Sequence, residues 1–470
     1  MVLAKLKMVL SRYHLNPTLL FVMSFLFLIG MGTFLLSLPI ATQGPEIALI
    51  DAVFMSASAV CVTGLAVFDI STHLSGFGTG VLLLLIQLGG LGIMTFTGFF
   101  GFFLTGRSSY KSQIMFSEIM NENDLSSVIR SLIKIVWLTF FFEFIGAVLI
   151  FFSTPSGQFT SFGDHLFFSV FHSVSAFCNA GFSTLSLGLF DENFRFNYPF
   201  QLIVALLLIL GGLGFAIILN VHLFLKRWTL LLFNRFWHGK PIKYKAWVMT
   251  FNSKLIAYTT AILLVFGFVS FFILEYDHSL AAHPTWFGKI VTAFFGGATP
   301  RTAGFNTVDM TALTFPTIMI TILLMWIGAS PGSTGGGIRT TTIAVATLNI
   351  LNTGRNYDRI NIFRREISNE SVRKSFAIIS LSLIWLGVSI FLLSITDGDK
   401  GLIALAFESF SAYSTVGLSL GITPALSSSG KILIICTMFL GRVGTLTLLI
   451  AMIKNIHARS YQYPQEHVLF

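Results

Sequence analysis

The chain has 470 residues, 54% of them hydrophobic and only 10% charged, a balance that no soluble protein of this length could keep in solution. Its formal net charge of +9 does not point to nucleic acid, because no soluble domain exists to carry a basic face. Three cysteines, Cys61, Cys178 and Cys436, lie in apolar or membrane-loop contexts and indicate neither a disulfide framework nor a zinc site.

The first apolar run, residues 17–38, follows Lys5, Lys7 and Arg12 and has no small-residue cleavage site, so it reads as a retained span and not a signal peptide. Further apolar runs follow at 79–104, 129–152, 199–225, 250–274, 311–346, 375–394 and 431–453, each long enough to cross a hydrocarbon core as a helix. Within each successive pair lies an apolar stretch of 12–18 residues, too short to span and suited to a re-entrant half-helix. The alternation of a transmembrane β-barrel is absent. The expected fold is therefore all-α and polytopic: four helix–pore loop–helix repeats in pseudo-fourfold arrangement around one pore. Their bounds are 1–104, 129–225, 250–346 and 375–453, joined by polar connections 105–128, 226–249 and 347–374 and followed by 454–470.

The repeats align on one glycine each. The segments are SASAVCVTGLAVFD around Gly64, SVSAFCNAGFSTL around Gly181, GGATPRTAGFNTV around Gly304 and SFSAYSTVGLSLG around Gly417. Ser or Gly stands eight positions before each glycine, and Ser or Ala six before it. A second landmark follows at offsets of 25, 30, 24 and 24: GGLG at 89–92, GGLG at 211–214, GASP at 328–331 and GRVG at 441–444.

Of the 29 Lys and Arg, 23 fall in the termini and inter-repeat connections, counting residues at the adjoining helix ends, and five on the opposite side, leaving Arg442. That bias puts both termini in the cytoplasm and opens all four glycine loops to the outside. Twelve of the 20 acidic residues lie on the outer side, where carboxylates concentrate cations. Glu143, inside the third span, reads as packing in preference to ion coupling.

Backbone without regular structure survives at membrane depth only where protein buries it or a wet cavity borders it. Four such loops around one axis can turn their carbonyls inward and replace the hydration shell of a potassium ion. The candidate filter residues are Cys61, Val62, Thr63 and Gly64; Cys178, Asn179, Ala180 and Gly181; Arg301, Thr302, Ala303 and Gly304; and Ser414, Thr415, Val416 and Gly417. Only the fourth loop carries the TVG of potassium-channel filters, so one dominant potassium site beside the four glycines is expected. The half-helices aim their negative C-terminal ends at it. Arg301 is expected to give its carbonyl to the filter and to send its side chain outward into a hydrogen-bond network.

The third repeat interrupts its second helix with MWIGASPGSTGGGIRTTT, residues 325–342, a composition in which helix cannot persist. Arg442 lies at the equivalent depth in the fourth repeat and carries five donors. The preferred reading is a gate: the loop 328–337, with Gly328, Ser330, Gly332, Ser333, Thr334, Gly335, Gly336 and Gly337, blocks the pore together with Arg442. The alternative is an arginine that pins an irregular helix.

With these motifs the chain resembles the Trk/Ktr/HKT superfamily of potassium transporters over nearly its whole length, through the four repeats, ATPRTAGFNT, SAYSTVGLS and the GGLG pair. It is most similar to the membrane subunit of bacterial Ktr-type systems, because it starts directly at the first repeat where Trk-type chains carry additional helices. The resemblance implies a multi-pass protein of the bacterial cytoplasmic membrane that takes up potassium in a channel-like way. It also implies an intramembrane gating loop, a homodimer, and a separate cytoplasmic ring of nucleotide-binding subunits. Some plant relatives have serine in the first loop and conduct sodium; Gly64 departs from that and fits potassium preference. No cofactor is expected in this chain, since GSTGGG is followed by Ile338 and Arg339 where a phosphate-binding loop has Lys-Ser/Thr. Sodium remains open as a coupling or activating ion. The basic segments 226–245 and 355–374 are candidate docking surfaces for the ring, and the C-terminal EHVLF for a dimer interface. A secondary carrier would have repeats in opposed orientation, which these are not. An intramembrane hydrolase is remote, since Ser330, Ser333 and Thr334 have no suitably spaced base; no enzyme activity is expected.

Overall fold

The computed structural model describes residues 17–44, 46–105, 127–215, 217–220, 250–357, 359–446 and 449. Most of the expected connection 105–128, all of 226–249, the expected C-terminal tail 454–470 with EHVLF, and Lys5, Lys7 and Arg12 lie outside the described residues. The helices fall into four consecutive sets. The first is α1 (Pro17–Leu36), α2 (Leu49–Val60) and α3 (Gly76–Thr105); the second is α4 (Ser127–Ser153), α5 (Phe162–Phe177) and α6 (Tyr198–Leu213). The third is α7 (Phe251–Leu274), α8 (Trp286–Ala298), α9 (Phe315–Trp326) and α10 (Thr340–Gly354); the fourth is α11 (Asn369–Thr396), α12 (Leu402–Ser414) and α13 (Ser428–Val443).

The middle helices α2, α5, α8 and α12 have 12, 16, 13 and 13 residues. At about 1.5 Å per residue none reaches across a hydrocarbon core of about 30 Å. Among the described residues three helical stretches are long and apolar enough to do so: Ile133–Ser153, Phe251–Leu274 and Asn369–Thr396. Their outward faces carry exposed Trp137, Phe144, Phe152, Ile262, Ile273, Ile384 and Phe391, side chains that lipid solvates and water does not.

In the first, second and fourth sets both flanking helices pack on the middle one, while in the third α7 packs on α8 and α9 packs on α7 and on the turn Thr299–Arg301 that follows α8. Between sets the contacts run in one direction. α3 packs on α5, α6 on α8, α9 on α12, and α13 returns to α2. The middle helices are accordingly the most buried elements, with Phe54, Phe171, Phe177, Phe295 and Phe407 fully enclosed.

Three expected spans differ from the structure in one respect. The runs 79–104, 199–225 and 431–453 are not continuous helices, because each is interrupted at the last glycine of its landmark. Gly92, Gly214 and Gly444 have φ of 53°, 88° and 89°, a conformation that only glycine adopts without strain. The expected span 375–394 begins earlier, at Asn369, because Ser368 caps the helix by accepting from Ser371 N.

At the far ends of the long helices each set is stapled. The residue capping the third helix also bonds the end of the first helix or the turn just after it. Ser75 Oγ donates to Ile40 O at 2.6 Å and Asn197 Nδ2 to Ser153 O at 2.8 Å. Thr314 N and Oγ1 donate to Glu275 Oε1 at 3.0 and 2.9 Å. Ser427 N and Oγ donate to Asp397 Oδ1 and Oδ2 at 2.6 and 2.8 Å. Of the two basic segments, 226–245 lies outside the described residues. In 355–374 the strands β1 (Asn361–Ile362) and β2 (Arg365–Glu366) form an antiparallel hairpin, whose Ile360 and Ile367 pack on Leu255 and Val345.

Candidate functional site

Where each middle helix ends, the chain turns in a similar way. The amide of the residue before the aligned glycine donates back into the last helical turn: Thr63 to Ser58 O, Ala180 to Ser175 O, Val416 to Ser411 O and Ala303 to Thr299 O, at 2.7, 2.7, 2.9 and 3.0 Å. Hydroxyls complete the turn. Ser58 Oγ accepts from Gly64 N at 3.1 Å and Ser411 Oγ from Gly417 N at 3.0 Å, while Ser175 and Thr299 donate to Phe182 O and Phe305 O at 2.7 Å. Two residues before the glycine, Val62, Asn179 and Thr415 are left-handed, with φ of 57°, 58° and 50°; the third loop departs, with Thr302 extended at 168°.

Gly64, Gly181, Gly304 and Gly417 have φ of 93°, 70°, 71° and 92°, and each faces the next. A Cβ on Gly64 would collide with Ala180 O, on Gly181 with Ala303 O, on Gly304 with Val416 O and on Gly417 with Thr63 O. The residue struck is always the one preceding the next glycine. The four loops therefore form a closed circuit in chain order, tight enough that only glycine fits at each junction.

Beneath the circuit the landmark glycines let the third helices approach the ends of the middle ones. A Cβ on Gly89, Gly211 or Gly441 would strike Val60 O, Phe177 O or Tyr413 O, in each case the carbonyl four residues before the aligned glycine. In the third set the segment between α9 and α10 fills that space instead. It doubles back on itself through an Ile327–Ile338 bridge and through Ala329 N, which donates to Gly336 O at 3.3 Å. Gly335, Gly336 and Gly337 press against Thr302, Thr415 and Ser414. On the other flank Ser330 N and Thr334 N donate to Gly212 O and Gly211 O at 3.1 and 3.4 Å, and Phe215 N donates to Gly332 O at 3.0 Å. The Asn179 orientation that satisfies both ends of its amide has the oxygen accepting from Gly212 N and from the Thr302 and Thr334 hydroxyls.

Arg442, 3% exposed, ties this segment to two other sets: one terminal nitrogen donates to Thr334 O and the other to Gly89 O. A second guanidinium, which the sequence hides near a basic connection, lies just after the segment and folds back onto it. Arg339 Nη1 donates to Gly335 O at 2.6 Å and to Ser330 O at 3.4 Å. Among the described residues neither arginine has a carboxylate partner.

The structure brings the sixteen candidate loop residues around one circuit and puts Thr334, Gly335, Gly336 and Gly337 directly under it, with Gly328 against Gly336. Gly332 lies against the residues that follow α6, and Ser333 bonds back to Ser330 O through both its amide and its hydroxyl. Arg301 needs correcting. The residue is 7% exposed and its Nε meets no acceptor among the described residues, so the expected outward hydrogen-bond network is not seen there. Glu143 does pack, and it reaches further: it accepts from Gln87 Nε2 at 3.0 Å and from the Cys178 thiol at 3.5 Å, so the carboxyl adjoins a loop residue.

Comparisons with known proteins agree with one another. Residues 9–462 match the family TrkH, described as "Cation transport protein". The chain is 33% identical over 464 residues to "Potassium/sodium uptake protein NtpJ" of Enterococcus hirae, covering 97% of this chain and 98% of that protein. It is 35% identical to "Ktr system potassium uptake protein B" of Bacillus subtilis, covering 98% of each. Among solved structures, the potassium transporter TrkH of Vibrio parahaemolyticus superposes with a TM-score of 0.71 at 18% identity, over 94% of this chain and 86% of that one; at that identity the likeness speaks to the fold.

Proposed function

The chain belongs to the TrkH family of cation transport proteins, and from that premise we propose that it takes up potassium across a membrane by a channel-like route with a backbone-carbonyl filter. Family membership makes it a membrane transporter and not an enzyme. The observation that carries the finer reading is the closed circuit of Gly64, Gly181, Gly304 and Gly417. Four carbonyls meeting at one level offer a dehydrating cation the oxygen ligands it loses from water. On this reading the chain is four repeats, 1–104, 129–225, 250–346 and 375–453, in pseudo-fourfold order, and the directional packing of α3, α6, α9 and α13 on the next middle helix supports it. One dominant potassium site lies at the glycines.

The segment 328–337 with Arg442 is the gate. It lies against the underside of the third and fourth loops and is bonded to the second, and its guanidinium adds positive charge to the path. Displacing it opens the route. Both termini are cytoplasmic in the bacterial membrane, and the protein works as a homodimer with a separate nucleotide-binding ring. The hairpin of residues 355–374, with Arg359, Arg364 and Arg365 exposed, offers that ring a basic surface. Sodium enters as a coupling or activating ion, a reading favoured by the uptake of both ions in the name of the Enterococcus relative.

The test is potassium uptake in a bacterium deficient in it, with and without a co-expressed regulatory subunit. Growth at low potassium is expected with the native chain and lost or sodium-permissive with Gly417→Ser, whose side chain would strike Thr63 O. Equal growth and equal ion preference with Gly417→Ser would sink the filter.

A further inference from the structure

Two of the four loops are held from behind by a polar clamp. His172 stands nine residues before Gly181 on α5, and Glu408 nine before Gly417 on α12; both are completely buried. His172 Nδ1 lies 2.9 Å from Phe168 O, and because a carbonyl only accepts, Nδ1 is the donor there. Nε2 is then free to accept from the Ser183 hydroxyl, 2.9 Å away. Glu408 Oε2 accepts from Ser419 Oγ at 2.9 Å and Oε1 from Thr423 Oγ1. Ser183 and Ser419 occupy the same place, two residues past their glycines. The other two loops have apolar residues at the helix position, Met55 facing the place of Ala66 and Phe295 that of Asn306; Asn306 bonds elsewhere, donating to Leu187 O at 3.2 Å. In the circuit Gly181 and Gly417 each touch Gly64 and Gly304 but not each other, so the clamped loops stand opposite.

We propose that His172 with Ser183 and Glu408 with Ser419 are positioning pairs that fix two opposite loops as they leave the glycine circuit, and so set which alkali cation its carbonyls accept; the inference rests on the filter reading above. A carbonyl ring discriminates by how far its oxygens can move in to meet a smaller ion. The clamps restrain that movement along one diagonal, since each ties the loop to a buried residue inside a middle helix. The other two loops are tied only within the glycine turn, by Ser58 to Gly64 N and by Thr299 to Phe305 O; with no clamp two residues past the glycine, they supply the give that lets an ion pass.

The experiment compares potassium and sodium influx into vesicles holding the full-length protein. Ser183→Ala and Ser419→Ala each delete one hydroxyl, which also accepts from Leu185 N in the first case and from Gly421 N and Thr423 Oγ1 in the second, and Gly417→Ser is run beside them. Each serine variant is expected to lower the potassium-to-sodium ratio by at least about fivefold, the factor that loss of the clamp hydrogen bond alone represents. Glu408→Ala combined with Ser419→Ala is expected to add little to either alone. A ratio unmoved in either serine variant, even with total influx reduced, overturns the proposal, provided that Gly417→Ser shifts it. If Gly417→Ser also leaves the ratio unmoved, the filter reading itself has failed.

Discussion

An arginine at the middle of a membrane helix costs roughly 2.5–3.5 kcal/mol, and Arg442 offsets that through its two carbonyl partners. Each charged hydrogen bond contributes about 1.5–3 kcal/mol, so Thr334 O and Gly89 O together cover the insertion cost. They also lock the segment under the glycines to α3 and α13. Arg442→Ala removes the lock, and potassium influx into vesicles is expected to rise about tenfold, equivalent to ~1.4 kcal/mol, with water replacing part of what the guanidinium held. Arg442→Lys should fall between, since an ammonium is a point charge without the planar fork that reaches two carbonyls at once. Influx equal to the native rate in Arg442→Ala would reduce the arginine to a structural pin. Arg442 is legible in the sequence because nothing else around it is charged. Arg339 is not: it follows a run of glycines toward a basic connection, and only the fold turns it back onto Gly335 O. His172 and Glu408 escape notice for a related reason, since their partners are set by how each loop leaves its glycine.

The short middle helices can be read from their length together with their place between two longer apolar runs, because a stretch of 12–16 residues is too short to span a membrane. The third-set break is equally plain, since Pro331 and five glycines rule out helix. The breaks at Gly92, Gly214 and Gly444 are hidden, because glycine is common in membrane helices and a positive φ leaves no mark on composition. The staples are hidden too, as each joins helix ends that the loop between them brings together. In the fourth set the staple is a carboxylate. Burial pushes the Asp397 carboxyl up, but the Ser427 N–H, the Thr396 and Ser427 hydroxyls and the Lys400 charge outweigh it and hold it below the usual carboxylate range. A depressed value in the folded state contributes stability above the unfolded value of about 3.9 and loses it as pH falls through the lower folded one. Asp397→Asn is therefore expected to cost about 1–3 kcal/mol at neutral pH. The gap in thermal midpoint from the native protein in detergent should narrow below about pH 4. A gap that stays constant with pH would mean that the carboxylate charge plays no part.

Four sets can follow one another along a chain without closing, and spacing in the sequence gives their order but not their closure. Closure depends on α13 reaching α2, the contact between the last set and the first. One ion pair spans it: Lys431 Nζ lies 2.5 Å from Asp51 Oδ1, with the two side chains 12% and 23% exposed. Ion pairs at the surface contribute ~0–1 kcal/mol and breaking buried ones costs ~3–5; this half-buried pair falls between, at about 1–2 kcal/mol. Asp51 lies in the first turn of α2, where a helix favours an anion. Lys431 lies in the first turn of α13, where a cation is disfavoured, so its place there is explained by the partner across the seam. Lys431→Met should lower the thermal midpoint by a few degrees and leave Asp51 without its cation. Lys431→Asp alone sets two carboxylates face to face and should lower it further. Lys431→Asp joined with Asp51→Lys restores the attraction and exchanges one unfavourable helix end for another, so the midpoint should return most of the way. If the double exchange recovers nothing while each single change destabilises, the seam is held by the apolar packing of α13 on α2 and the charges only accompany it.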